Sequence, residues 1–183
     1  MGSGGHLIAL VGSSGSGKTT ACLELVAAAG AVGLPVAGLV TTMERRPAGA
    51  RRWVRDLRTG RRRLIATVAE SEEVTAGMSA WRLSASALEW GDRALATACP
   101  AELLVIDELG PLELEQAAGW RRGAEIALAG PYGLAVVSVR PALLEAFRAL
   151  ARCDACKVVG LDGLTAGRLE EALRECTATG ARS

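Results

Sequence analysis

The sequence predicts an α/β fold built around a mainly parallel sheet. Three observations support this prediction. Short apolar runs alternate with stretches of helical spacing, a glycine-rich loop joins the first run to the first helix, and two acids directly follow a later run. The 183 residues suit one domain, expected to span 1–183, that buries its core without disulfides or a structural metal.

The first elements are a strand, a helix and a second strand. Residues 6–11 are apolar, residues 19–29 have helical spacing with Leu23 and Val26 on one side, and residues 36–41 are again apolar. This order is typical of a βαβ unit, in which the two strands are parallel.

The second half of the chain continues the alternation. Ser86 and Glu89 have the spacing of a capping box, which predicts a helix from Ser86 to Ala98. The other predicted elements are strands at 103–107, 132–139 and 157–161, and helices at 112–129, 141–151 and 165–176.

Residues 45–63 are unusual because they contain nine arginines and one acid. β-like runs on either side of a glycine turn predict an antiparallel hairpin inserted at about 52–68. Three interpretations of the charge stay open: a solvated hairpin that protects a sheet edge, a lid whose arginines contact phosphates, and a patch for nucleic acid. Nucleic acid ranks lowest, because Trp53 is the one aromatic residue there and single-strand binding uses several.

The loop after the first strand fits the pattern G-x-x-x-x-G-K-[ST] of a phosphate-binding P-loop. Its glycines let the backbone curl so that N–H groups surround phosphates, and the following helix points its positive end at them. We expect Lys18 to reach the β- and γ-phosphates and the Thr19 hydroxyl to coordinate Mg²⁺. The predicted phosphate-binding residues are Gly12, Ser13, Ser14, Gly15, Ser16, Gly17, Lys18, Thr19 and Thr20.

Asp107 and Glu108 follow the buried strand at 103–107. Asp107 is expected to hold Mg²⁺, and Glu108 to act as the general base on an attacking water. A second acid favours hydrolysis, because in a kinase the substrate hydroxyl is the nucleophile. The motifs together predict a three-layer P-loop NTPase whose mainly parallel sheet has RecA-like order, with one strand between the P-loop strand and the acidic strand.

Ser138 and Arg140 stand at the end of the strand at 132–139. Ligands of open parallel sheets lie at the carboxyl ends of strands, so either residue is a candidate sensor of the γ-phosphate. The alternative is a capping serine and a surface arginine. Arg140 is the candidate catalytic arginine for charge on the transferring phosphoryl group.

Residues 106–114, Ile-Asp-Glu-Leu-Gly-Pro-Leu-Glu-Leu, resemble the signature IDEIGPMEL of the small nucleoside-triphosphatase family, also called cancer-related nucleoside-triphosphatase and first known from thermophiles. Residues 36–44 and 57–60 also fit this family, and the resemblance spans roughly residues 7–175. It implies Mg²⁺-dependent hydrolysis of nucleoside 5′-triphosphates, such as ATP and GTP, to diphosphate and phosphate with several bases tolerated. By position, Asp107 would serve the metal and Glu108 the water.

Two other functions stay open. A small-molecule or nucleoside kinase would need a pocket for an acceptor, and Glu108 would then act on a hydroxyl. A nucleotide-dependent adapter would use slow hydrolysis as a timer and the hairpin as a docking surface for a protein partner.

Composition adds further expectations. The net charge is +1 and no apolar run approaches the length of about 20 residues needed to span a membrane, so we expect a cytoplasmic protein. The five cysteines are an odd number, which is typical of reduced thiols. Cys153 and Cys156 are predicted to bind no metal, because no second ligand pair accompanies them.

Overall fold

The computed structural model describes residues 5–69, 81–152 and 156–160. Within them one sheet of eight strands is flanked by helices. In chain order the elements are β1 His6–Val11, α1 Lys18–Ala31, β2 Val36–Arg46, β3 Gly49–Asp56, β4 Arg62–Ala69, β5 Arg82–Leu83, α2 Ala85–Ala96, β6 Ala101–Leu109, α3 Pro111–Leu114, α4 Arg121–Ala129, β7 Tyr132–Val139, a 3-10 turn Pro141–Leu143, α5 Leu144–Ala151 and β8 Lys157–Gly160.

The strands lie in the order β5-β4-β3-β2-β6-β7-β1-β8. Strands β2, β6, β7, β1 and β8 are parallel to their neighbours in this run, whereas β3, β4 and β5 join it through antiparallel pairs. Strand β7 separates β1 from β6. The predicted RecA-like order is therefore confirmed, and it brings the ends of β1, β7 and β6 together.

Both faces of the central parallel strands β1, β7 and β6 are buried. On one face, Ile8 and Leu10 of β1 pack with Cys22 and Leu25 of α1. On the other face the core is larger and includes Phe147 of α5 together with residues of α2 and α4. Because strands covered on both sides need apolar residues at every position, they appear in the sequence as continuous apolar runs. The predicted three-layer arrangement is confirmed.

Strand β2 is longer than the sequence predicts. The sequence predicts that β2 ends at residue 41, but the strand continues to Arg46. It pairs with β3 along this extension, and the last pair is Arg46 with Gly49. The predicted hairpin of β3 and β4 is present, and it forms part of a longer antiparallel ribbon. The extension was missed because its second half is mostly exposed and carries no apolar alternation to detect.

Three helices differ from their predicted form. Helix α2 is capped by Ser84, whose side chain accepts the Ala87 N–H, so the predicted capping box beginning at Ser86 is wrong. The predicted helix at 112–129 is two helices, α3 and α4, and between them Ala117 and Gly119 have φ angles of 51° and 61°. Left-handed residues end a helix. Residues 141–151 begin with a 3-10 turn before α5.

The predicted helix at 165–176 lies outside the described residues. So does Cys153, and the prediction that it binds no metal with Cys156 stays a prediction; Cys156 itself is a buried thiol. Among the described helices, none combines the length and the apolar character that a membrane crossing requires.

Candidate active site

The P-loop connects β1 to α1 at the edge where the parallel strands end. Its first residue is tied to the neighbouring strand, because the Gly12 N–H donates to the Val139 carbonyl at 3.3 Å. Gly15 and Gly17 have φ angles of 78° and 95°. A β-carbon added at either position would meet no atom within 4 Å, so these glycines are needed for their left-handed backbone and not for space.

Lys18 is the first residue of α1, and its side chain reaches back to the P-loop. Only 8% of it is exposed, and Nζ donates to the carbonyls of Gly12 and Ser13 at 2.7 Å each. Burial lowers the pKa of Lys18, and the charge of Arg140 adds to that lowering, while the carboxylates of Glu108 and Asp107 oppose it. The loop therefore holds a poorly solvated cation among backbone groups suited to phosphate.

Asp107 lies near the end of β6 and is 1% exposed. Its Oδ1 accepts the Ser138 hydroxyl at 2.9 Å, its Oδ2 accepts the Thr41 N–H at 3.2 Å, and the Thr19 side chain also hydrogen-bonds to it. Burial raises the pKa of Asp107, and these three hydrogen bonds oppose the rise. The two residues predicted to bind metal, Thr19 and Asp107, are thus in contact.

Glu108 lies at an irregularity in the backbone of β6. Its φ is 69°, and the pairing of β6 with β7 shifts register between Ile106 and Leu109. A left-handed conformation of a non-glycine residue costs on the order of 1–3 kcal/mol, and here the bond from the Glu108 N–H to Ser138 Oγ at 2.8 Å helps to hold it. The kink presents the carboxylate at the carboxyl end of the sheet.

Two arginines flank the Glu108 carboxylate. Arg140 Nη2 lies 2.8 Å from Oε1, and Arg52 Nη1 of β3 lies 3.8 Å from Oε2. All three side chains are about one quarter to one third exposed, with values of 26% for Arg140, 28% for Glu108 and 31% for Arg52. The carboxylate is therefore held in place while it stays open to a small molecule.

A cavity of about 430 Å³ joins these groups. Most of the predicted phosphate-binding residues line it, together with the acidic pair and two hairpin arginines; the lining includes Ser14, Gly15, Gly17, Lys18, Thr19, Thr20, Arg45, Arg52, Asp107 and Glu108. The arginine-rich hairpin thus reaches the phosphate site, which favours the lid among its three interpretations. Arg140 lines a neighbouring cavity instead and approaches this one through Glu108.

Thr41 and Arg52 also line the candidate site; the sequence did not single out Thr41, and it offered Arg52 only as one of several hairpin arginines. Thr41 lies where β2 passes the end of β6, and its N–H binds Asp107. A polar residue at the carboxyl end of a parallel strand was a usable signal. Arg52 carried no such signal, because it is one of nine arginines within residues 45–63 and only the strand pairing selects it.

Glu113 fixes the segment after Glu108. It is 5% exposed, with Oε2 accepting the Gly110 N–H at 3.0 Å and Oε1 accepting the Trp120 N–H at 3.3 Å. Burial raises the pKa of Glu113, and these backbone bonds oppose the rise. This carboxylate closes the loop that runs from the acidic pair to α4.

A P-loop joined to a RecA-like sheet, with an acidic pair on the strand beyond β7, defines a P-loop NTPase. A family model described as NTPase matches residues 7–164. The chain belongs to this NTPase family and is a nucleoside-triphosphate hydrolase.

The structure is similar to the solution structure of a human cancer-related nucleoside triphosphatase. The TM-score is 0.64 at 22% identity, over 98% of this chain and 99% of that chain. At 22% identity this similarity supports the assignment of the fold alone. No curated protein sequence matches this chain.

Proposed function

We propose that this hydrolase depends on Mg²⁺, cleaves nucleoside 5′-triphosphates to diphosphate and phosphate, and accepts several bases. One observation carries the proposal: Lys18, Asp107 and Glu108 line one cavity with the P-loop. Each meets a different need of the reaction: Lys18 provides a cation for the phosphates, Asp107 a ligand for the metal, and Glu108 a base for the water.

The donor set at Asp107 fits Mg²⁺. It combines a buried carboxylate with the Thr19 hydroxyl, and oxygen donors of this kind suit a small hard cation. Thr19 and Asp107 would hold the ion, with Ser138 and Thr41 orienting the carboxylate. Bound there, Mg²⁺ would supply charge neutralisation on the phosphate oxygens.

The protein's own groups divide the remaining work. The loop N–H groups and Lys18 bind the phosphates and orient them for attack. Glu108 accepts a proton from the water that attacks the γ-phosphorus, since its carboxylate is partly exposed whereas that of Asp107 is buried and bound by three donors. Arg140 fixes the Glu108 carboxylate and places positive charge beside the reacting centre.

Tolerance of several bases follows from where the binding groups lie. The loop and Lys18 contact phosphates, which all nucleoside triphosphates share. Binding energy drawn from shared groups does not discriminate between substrates, because specificity is a difference of affinities. ATP and GTP are therefore both expected as substrates.

Phosphate release tests the proposal, measured with ATP, GTP, CTP and UTP with and without Mg²⁺. Glu108→Gln should retain nucleotide binding and lose turnover by about 10²–10⁴-fold, the usual contribution of a general base. Glu102→Gln is the matched control, because Glu102 is an exposed acid on the same strand, β6. Turnover at the parent rate in Glu108→Gln would contradict the assignment of the base, and metal-independent turnover would contradict the Mg²⁺ site.

A further inference from the structure

A second cavity, also of about 430 Å³, adjoins the phosphate cavity. Its walls are largely apolar. Part of the lining comes from β4, β5 and α2, and part comes from the segment after Glu108; the apolar residues include Ile65, Leu83, Leu88, Pro111, Leu112 and Trp120. A volume in this range suits a small organic ligand, since such sites commonly measure about 300–1,000 Å³.

The two cavities meet at Glu108. Thr41, Arg52 and Glu108 line both of them, whereas Lys18 and Asp107 line only the phosphate cavity and Arg140 lines only the second. The residue proposed to take a proton from water therefore also faces a space large enough for a different nucleophile.

The polar groups at this junction indicate which ligand chemistry fits. The Glu108 carboxylate lies 2.8 Å from Arg140 and 3.8 Å from Arg52, so the charges of the two arginines are already partly balanced. A carboxylate accepts hydrogen bonds, and a hydroxyl group supplies the donor that it lacks. Apolar walls with a proton acceptor at one end suit an uncharged alcohol.

We propose that the second cavity is an acceptor site for an uncharged alcohol with a partly apolar body, of about the size of a nucleoside, and that the enzyme transfers the γ-phosphoryl group to it as well as to water. This rests on the proposed function, because the nucleotide must occupy the phosphate cavity. The alcohol oxygen forms a bond to the γ-phosphorus, and the bond from that phosphorus to the bridging oxygen of the β-phosphate breaks. The nucleoside diphosphate leaves with the electron pair, and the hydroxyl proton passes to Glu108.

The test uses the full chain, ATP labelled in the γ-phosphate, and three probes: adenosine, cytidine and benzyl alcohol. Labelled phosphate ester should appear beside labelled phosphate, and the ratio of ester to phosphate should rise with alcohol concentration. Leu83→Glu places a charge in the apolar wall, and Leu83 tolerates polarity because it is 53% exposed. This variant should lower the ratio at least tenfold. Ile126→Glu is the matched control, since Ile126 is 44% exposed on α4 and outside both cavities.

The possible outcomes separate this proposal from the hydrolase mechanism. Phosphate release without ester from any probe at millimolar concentration overturns the acceptor site and leaves the hydrolase standing. Ester whose yield is the same in Leu83→Glu and in the parent overturns its placement in this cavity. If Leu83→Glu does not fold, Gln116→Trp replaces it, because Gln116 is exposed at the cavity mouth and the larger side chain fills the space. Absence of all ATP turnover overturns the proposed function. Equilibrium dialysis of labelled adenosine then tests the second cavity alone. Binding to the parent that is lost in Leu83→Glu supports a ligand site in this cavity, and no binding to the parent overturns it.

Discussion

Ser138 of β7 donates its hydroxyl hydrogen to Asp107 Oδ1 at 2.9 Å. The same hydroxyl oxygen accepts the Glu108 N–H at 2.8 Å. One buried side chain therefore orients the carboxylate proposed to bind metal and also fixes the strained backbone of the proposed base. The sequence made Ser138 a candidate for sensing the γ-phosphate; these contacts favour a positioning role through its two acidic neighbours.

Replacing Ser138 by alanine should weaken both functions. Groups that orient a metal ligand typically contribute about 10–100-fold in metal affinity or activity. We expect Ser138→Ala to lower turnover by about that factor and to raise the Mg²⁺ concentration at half-maximal rate. The measurement is phosphate release over a Mg²⁺ titration. Ser86→Ala, at an exposed serine of α2, is the control, and an unchanged Mg²⁺ titration of Ser138→Ala would contradict the positioning role.

Lys18 should account for most of the stabilisation that a nucleotide provides. A ligand at 100 times its Kd stabilises a protein by about 2.7 kcal/mol, which a melting curve resolves. We expect Mg²⁺ with ATP or GTP to raise Tm in the parent and Lys18→Ala to lose most of that rise. Lys157→Ala is the matched control, because Lys157 is the other lysine of the chain and lies exposed on β8. A parent Tm that millimolar nucleotide does not change would count against the phosphate site.

The two arginines beside Glu108 should affect different kinetic constants. Arg140 contacts Glu108 and does not line the phosphate cavity, so Arg140→Ala is expected to lower kcat at least tenfold with little change in nucleotide affinity. Arg52 lines that cavity, and Arg52→Ala should weaken nucleotide binding as well. Steady-state kinetics and direct nucleotide binding distinguish the two effects.

Arg55→Ala is the control for both arginine variants, because Arg55 is exposed on β3 and lines neither cavity. Unaltered kcat in Arg140→Ala would remove Arg140 from the proposed catalytic groups. It would direct attention to Arg45 and Arg52, the hairpin arginines that line the phosphate cavity.

The sequence predicts the parts of the site that depend on local pattern. The P-loop and the acidic pair follow apolar strands directly, so chain order alone places Lys18 and Asp107 at one sheet edge. Strand order is also predictable, because a second acid indicated the RecA-like arrangement in which β7 separates β1 from β6.

The sequence does not predict the contacts between distant segments. The extension of β2 to Arg46 and the approach of Arg52 to Glu108 depend on cross-strand register in a ribbon with little apolar alternation. The split of 112–129 into two helices involves a buried carboxylate, Glu113, that binds the backbone N–H groups just before α3 and just before α4. Such a hydrogen bond leaves no periodic pattern in the sequence from which it could be predicted.

Glu113 gives the last prediction, which concerns stability. Its two carboxylate oxygens accept N–H groups of Gly110 and Trp120 in a buried setting. Glu113→Gln preserves the shape but replaces one acceptor by an NH₂ donor, so one backbone N–H loses its partner at a cost of about 1–3 kcal/mol. Urea unfolding should show that loss as a lower midpoint with an unchanged slope. Glu115→Gln, at an exposed neighbouring acid, should leave the midpoint in place. Equal midpoints for Glu113→Gln and the parent would show that the loop after Glu108 is held by its apolar contacts and not by this carboxylate.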